Sequence, residues 1–282
     1  MFEYDPASAL EAISVLVEKH VESDLHDLSY RATESSACAH AWVVVPSQSN
    51  SFPFVVFLHG GGQDRGAFLN EAFLLAGHGI ASLLIDLPQA RALPNFFHPE
   101  KDQATLSRTV LAVRRGMDCL ALRSDIDISR GAIIGFSFGA WIGSMVAAVD
   151  ARLGRAILTS GVPRMSEFWR ASPHPDVAGI RDGLPSPIME RYVEASKPFD
   201  AIEHLRRCSK VRLFFQFGAE DELISQEYVR ELLPYGIGDN LIKIYESGSH
   251  YQMFLNPDAR RDRLAWIEDQ LLGEGGLRFA AM

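Results

Sequence analysis

Residues 131–149, Gly131-Ala-Ile-Ile-Gly135-Phe-Ser137-Phe-Gly139-Ala-Trp-Ile-Gly143-Ser-Met-Val-Ala-Ala-Val149, decide the fold. The first six residues have the length and apolar character of a buried strand. The stretch from Phe138 onward reads as a helix. Only Ser137 is left to make the turn between them. So tight a corner strains the backbone and crowds neighbouring segments, and Gly135 and Gly139 supply the small residues that this requires. It also stands Ser137 at a helix N-terminus, where negative charge is favoured. A G-x-S-x-G pattern between a strand and a helix is the setting of a nucleophile elbow. The competing reading, a glycine-bounded turn around a buried serine, explains the glycines but not the whole strand–turn–helix context.

Outward from this corner the chain alternates. FPFVVFLHG (52–60) is a nearly continuous apolar run, as expected of a strand covered on both faces. Further strands are expected at 80–86, 155–161, 211–218 and 241–247. Helices are expected at 66–77, 101–122, 226–234 and 257–272; Leu106, Val110, Val113, Met117 and Leu120 form one stripe of the second. This rhythm predicts a parallel sheet wrapped by helices. Two strands at 27–33 and 38–46, with no helix between them, predict an antiparallel edge. Asp5-Pro6, followed by Leu10, Ile13, Leu16 and Val17, predicts an N-terminal helix over about 6–20. Residues 162–200 break the alternation. Pro163, Pro173, Pro175, Pro185, Pro187 and Pro198 exclude long regular elements there, while Met165, Phe168, Trp169, Ile188 and Tyr192 argue against disorder. A compact cap over the sheet is the natural reading, within a single domain spanning 1–282.

The chain has 282 residues, 47% hydrophobic and 22% charged, enough for a sizeable core. Its formal net charge of −9 argues against a nucleic-acid partner. Cys38, Cys119 and Cys208 form no CxxC pair, which argues against a metal or redox site. Cys38 and Cys119 lie among apolar residues and read as buried, reduced thiols. No basic start leads into an apolar run at the N-terminus, and no stretch is long and apolar enough to span a bilayer. These features lead to the expectation of a cytoplasmic protein without a membrane partner; the oligomeric state stays open.

Four further features bear on chemistry. His59-Gly60-Gly61-Gly62 follows the first long buried strand, and glycines let backbone N–H groups approach a ligand closely. An elbow nucleophile needs such donors where a carbonyl oxygen becomes negative. One donor comes from the residue after the nucleophile, Phe138, and another from the glycine loop, with Gly61 ahead of Gly62. A phosphate loop would want Lys-Ser/Thr after the glycines, but Gln63-Asp64 follows. His59 reads as a structural tie of the loop. Glu220, Asp221 and Glu222 compete in the turn after strand 211–218; Asp221 is the first candidate, since the longer glutamates are expected to face solvent. Of nine histidines, His250 is singled out by its place between the last strand and the last helix. There it can exchange a proton with Ser137 while a carboxylate holds its other nitrogen. His98, His174 and His204 precede the acid or lie in or near the insertion.

HGGG, GFSFG, the G-x-x-D turn and the late G-x-H together resemble the α/β-hydrolase superfamily over about 27–272. The small cap and single-domain length look like its dienelactone hydrolase, acetyl esterase and prolyl-oligopeptidase-like branch. The resemblance implies a mostly parallel sheet of about eight strands and no cofactor. It also implies a serine carboxylic ester hydrolase working through an acyl-enzyme, with Ser137, Asp221 and His250 as triad. A serine nucleophile departs from the aspartate of haloalkane dehalogenases and the cysteine of dienelactone hydrolases. Asp86-Leu87-Pro88-Gln89-Ala90-Arg91 lacks the glycine many relatives carry there, so the pocket wall is expected to differ. Phe96, Phe97, Met165, Phe168 and Trp169, together with Phe138, are candidates for an apolar wall around a small to medium acyl or aryl ester; ordinary core packing is the alternative for each. The same triad would serve an amidase or peptidase, a thioesterase or an acyltransferase. A non-catalytic binding protein would have no physical need for the full set.

Overall fold

The computed structural model describes residues 1–33, 38–48, 50–87, 98–235 and 238–273. The strands are β1 (Ile13–Lys19), β2 (Ser23–Arg31), β3 (Cys38–Pro46), β4 (Phe52–Leu58), β5 (Ala81–Ile85), β6 (Ile126–Phe136), β7 (Leu153–Thr159), β8 (Arg212–Gly218) and β9 (Leu241–Tyr245). The helices are α1 (Leu69–Gly77), α2 (Pro99–Ala121), α3 (Phe138–Val149), α4 (Met165–Ala171), α5 (Pro175–Gly183), α6 (Ser186–Ser196), α7 (Ala201–Leu205), α8 (Gln226–Leu232), α9 (His250–Leu255) and α10 (Pro257–Leu272). Among the described residues, nine strands form one sheet in the order β1-β2-β3-β5-β4-β6-β7-β8-β9. From β5 to β9 neighbouring strands are parallel, and β1, β2 and β3 add an antiparallel edge.

Strand β4 shows why its sequence is apolar throughout. Phe54, Val56 and Leu58 enter the core on one face, Val55 and Phe57 the core on the other, and all seven residues are buried. Alternate side chains point to opposite faces, so a strand covered twice has no polar face. Helices α2, α3 and α4 contribute to the first core, α1 and α10 to the second.

The N-terminal helix expected over 6–20 does not exist. Asp5 closes a single turn instead, its side chain accepting from the Ala7 amide (2.9 Å) and its carbonyl from the Ser8 amide (3.1 Å). Ile13–Lys19 is a strand, antiparallel to β2, and all seven of its residues are exposed. Ile13, Val15 and Val17 are β-branched and recur at the two-residue strand period, and this outweighs the helical spacing of Leu10, Ile13 and Leu16. That strand raises the sheet from the expected eight to nine. Strand β2 also begins four residues before the expected position.

As the prolines of 162–200 imply, no long element forms there: α4, α5 and α6 have 7, 9 and 11 residues, and two of the prolines start helices. Pro175 opens α5 and Pro187 sits in the first turn of α6, where no amide donor is needed. Cys38 is exposed rather than buried, at the outer end of β3. Cys119 and Cys208 are buried, which pushes each thiol up to about 12. No helix among the described residues is long and apolar enough to cross a membrane.

Buried charges hold the outer helices. Arg263 of α10 is 1% exposed and grips Glu71 of α1 with two donors, Nε at 2.9 Å and a terminal nitrogen closer still. Arg115 of α2 bonds Asp118 (3.0 Å) and the Ser8 carbonyl (2.5 Å), and Arg114 bonds the Phe2 carbonyl (2.5 Å), so the first residues are tied down on α2. Removing one partner of a buried pair strands the other charge, at a cost of about 3–5 kcal/mol. Glu71→Leu is therefore expected to lower the unfolding free energy by about that amount in urea denaturation; a loss below about 1 kcal/mol would show that water reaches Arg263.

Candidate active site

The turn between β6 and α3 consists of Ser137 alone. Its φ of 52° and ψ of −114° lie where a Cβ is strained. Both flanking glycines are sterically required. A Cβ on Gly135 would lie 2.4 Å from the Gly139 carbonyl oxygen, and one on Gly139 would lie 2.0 Å from that of Leu58. The Ser137 amide donates to the Thr159 carbonyl at the end of β7 (2.8 Å), which fixes the corner to the next strand.

Three loops at the carboxyl ends of β6, β8 and β9 converge on this serine. The Ser137 hydroxyl donates to His250 Nε2 at 2.8 Å, and His250 Nδ1 donates to both Asp221 carboxylate oxygens at 3.0 Å. That tautomer follows because a carboxylate can only accept. The Asp221 carboxylate is held in turn by the amides of Leu223 (3.0 Å) and Ile224 (2.8 Å). The acid and histidine loops meet where Gly218 faces Gly248; a Cβ on Gly218 would lie 2.1 Å from the Gly248 carbonyl oxygen. His250 opens α9, whose Ser249 and Gln252 form a capping box. Its ring leans on Phe136 and Tyr251, with centroids 5.5 and 5.6 Å away.

Of the three competing acids, the structure brings Asp221 to the imidazole. Glu222 is exposed, as expected, and its side chain also accepts from the backbone amide of His250 at 2.8 Å, capping α9 beside these three residues. A run of three acids carries no signal that separates these tasks.

In the glycine loop, the Gly60 amide is taken by the Gln63 side chain (2.8 Å), and a Cβ on Gly60 would strike the Phe136 ring at 2.7 Å. Gly61 is half-buried, and Gly62 is exposed with a φ of +76°. The Phe138 amide belongs to the first turn of α3, where N–H groups have no intrahelical acceptor. His59 is 1% exposed. It bonds the Gly60 carbonyl through Nδ1 (2.9 Å) and accepts from the Leu87 amide at Nε2 (2.9 Å), linking the loops after β4 and β5.

Phe96, Phe97 and Arg91 lie outside the described residues. Met165, Phe168 and Trp169 are buried in α4 and share one apolar cluster with Phe138 and Trp141. Trp169 packs edge-on against Phe168 and against Tyr192 of α6. A cavity of about 10 Å³ behind α3, lined by Trp141, Ser144, Gly161, Val162, Leu205 and Phe217 among others, admits one water at most and cannot hold an acyl chain. Among the described residues, no group of three His, Cys, Asp or Glu side chains is arranged to hold a metal ion.

A hydroxyl, an imidazole and a carboxylate joined at the carboxyl edge of a parallel sheet, behind a strained elbow, are the arrangement of α/β-hydrolases. The chain belongs to the alpha/beta hydrolase family, which its residues 55–275 match. No curated protein sequence matches it. Among solved structures, it is similar to an acetyl xylan esterase from Paenibacillus sp. R4 (TM-score 0.71, 19% identity, 90% of this chain and 88% of that one covered). Acetyl xylan esterase 1 from Thermoanaerobacterium sp. JW/SL YS485 gives a TM-score of 0.69 at 15% identity, with 88% of each chain covered. An acylaminoacyl peptidase from Pyrococcus horikoshii gives 0.64 at 14% identity, covering 88% of this chain but 40% of that one. At these identities the likeness is one of fold.

The elbow geometry gives a stability test independent of turnover. A non-glycine residue in so strained a conformation costs about 1–3 kcal/mol, and glycine gives back about 0.5–1 kcal/mol through its greater freedom when unfolded. Ser137→Gly is therefore expected to be more stable than Ser137→Ala by about 1 kcal/mol in paired denaturation curves. Equal stabilities would show an unstrained corner.

Proposed function

We propose that this chain is a serine carboxylic ester hydrolase that works through an acyl-enzyme on Ser137. The observation that carries the reading is the unbroken bond chain from Ser137 Oγ through the His250 ring to the buried Asp221 carboxylate. In the first half-reaction His250 Nε2 takes the Ser137 proton as Oγ attacks the acyl carbon. Asp221 stabilises the imidazolium that forms. The amides of Phe138 and Gly61, with Gly62 as the alternative loop donor, receive the negative carbonyl oxygen. Collapse of the tetrahedral adduct breaks the ester C–O bond, and His250 returns the proton to the leaving alcohol. Water then repeats the attack on the acyl-enzyme and releases the acid. No step calls for a cofactor.

A small to medium acyl or aryl ester is the proposed substrate class. Two acetyl xylan esterases share the fold over most of their length, and Met165, Phe168 and Trp169, buried in the same core as Phe138, are the proposed apolar wall. The family membership and this triad suit a small-molecule partner, and the reading places the enzyme in the cytoplasm.

A fluorophosphonate is expected to give one adduct, on Ser137, that is absent from Ser137→Ala and Ser137→Gly. Intact mass and peptide mapping read this directly, and a folded protein that takes up no reagent would overturn the proposal. On nitrophenyl esters, Asp221→Asn is expected to lower kcat by about 10⁴ through loss of the correct histidine tautomer. Rates should fall from acetate to long acyl chains; a flat series would remove the size claim, and faster turnover of anilides than esters would move the assignment to an amidase. Glu222→Ala should reduce kcat by roughly tenfold through a looser His250, and Glu222→Gln, which keeps the acceptor, should restore most of it.

A further inference from the structure

Strand β1 is the outermost strand of the sheet, and its outer edge pairs with nothing among the described residues. Such an edge presents a row of unpaired N–H and C=O groups, and proteins normally blunt it with charge or cover it. Here the edge is apolar. Ile13, Val15, Leu16 and Val17 are 62%, 56%, 48% and 53% exposed, on both faces of the strand. The patch continues past the strand to Val21, which is 97% exposed. It also reaches α1, where His20 packs on Phe73 with ring centroids 4.7 Å apart and Leu74 is 42% exposed.

The charges are confined to the two ends. At the start lies the ion pair of Glu11 with Arg31 (2.6 Å), at the finish Glu18 and Lys19. We propose that this edge is a homodimer interface, in which β1 of one copy pairs antiparallel with β1 of a second. The charge pattern selects both the partner and the direction. Antiparallel self-pairing centred on Val15 brings Lys19 and Glu18 of each copy to the Glu11–Arg31 end of the other, the β1 bulge between Leu16 and Glu18 shifting the register there by one residue. Parallel pairing would set Lys19 against Lys19 and Glu18 against Glu18, and like charges directly opposite destabilise a sheet. Between the charged ends, Val15 faces Val15 and Ile13 comes opposite the bulge at Val17, so β-branched residues, which pack well across strands, meet along the seam.

The other sheet edge, β9, makes a poorer partner. It is shorter and carries Lys243 in its middle. A β1–β9 contact would also be head-to-tail and would run on into a filament, whereas β1–β1 closes as a two-fold dimer. The proposed dimer has one continuous sheet through both subunits.

The test uses the whole chain in a Cys38→Ser background, which removes the exposed native thiol. Light scattering across a dilution series is expected to show a dimer for this protein and a monomer for Val15→Lys at the same concentrations. Thermal unfolding of the variant checks that it is folded. Lys19→Glu is expected to shift the midpoint of dissociation to higher protein concentration, by a larger factor in low salt than in high salt. Val15→Cys, at the two-fold axis, should form an intermolecular disulfide on mild oxidation. A monomer at every soluble concentration overturns the interface. A dimer that survives Val15→Lys places the contact elsewhere, and a folded, dimeric Val15→Cys that does not crosslink overturns the antiparallel arrangement.

Discussion

Helix α3 begins where it does because Gly139 lies against the carbonyl of Leu58, a contact that leaves no room for a Cβ. The rest of the site depends on this approach. It seats the helix N-terminus over the end of β4, so the first amides of α3 and the glycine loop that follows β4 come from adjacent strands. The cost is the strained backbone at Ser137, which persists because both sides of the corner are over-determined. Strand β6 is locked between β4 and β7, and α3 is buried over most of its length.

The other two members of the proposed triad arrive by a different principle. Asp221 and His250 sit on loops after β8 and β9, and loops are precise only when their backbone groups are occupied. The amides of Leu223 and Ile224 hold the acid, and the capping box and Glu222 hold the start of α9. Beneath them, Thr159, Gln216 and Tyr245 form a buried hydrogen-bonded row across β7, β8 and β9, ending on Asp262 of α10. A fully satisfied row of this kind fixes the spacing of the three strands whose ends carry or brace the site.

What was legible in the sequence follows the same division. Strand β4, helix α3 and the corner at Ser137 could be read because double burial and steric crowding leave few residue types that fit. The pairing of Asp221 with His250 was readable from loop order and chemistry, since both had to lie at the same sheet edge. The N-terminal strand was misread: Leu10, Ile13, Leu16 and Val17 satisfy a helical spacing by coincidence, and the two-residue recurrence of Ile13, Val15 and Val17 lacks the polar alternation that marks a half-buried strand. Buried arginines escape for a related reason. Arg115 and Arg263 look in sequence like any solvated charge, and their partners, Ser8 and Glu71, are far away along the chain. Glu222 could not be told from Glu220, because what separates them is the direction in which a turn presents each side chain.

The strained corner also bears on the order in which the molecule is assembled. A backbone conformation that is unfavourable by itself cannot be an early event, since nothing local holds it until β4, β6 and β7 have paired and α3 has docked. The hydrogen-bond chain through His250 needs two further strands, β8 and β9. Under the proposed mechanism, nucleophilic competence is therefore a property of the assembled sheet. On that reading, a nascent or partly unfolded chain carries an ordinary serine until β9 is in place.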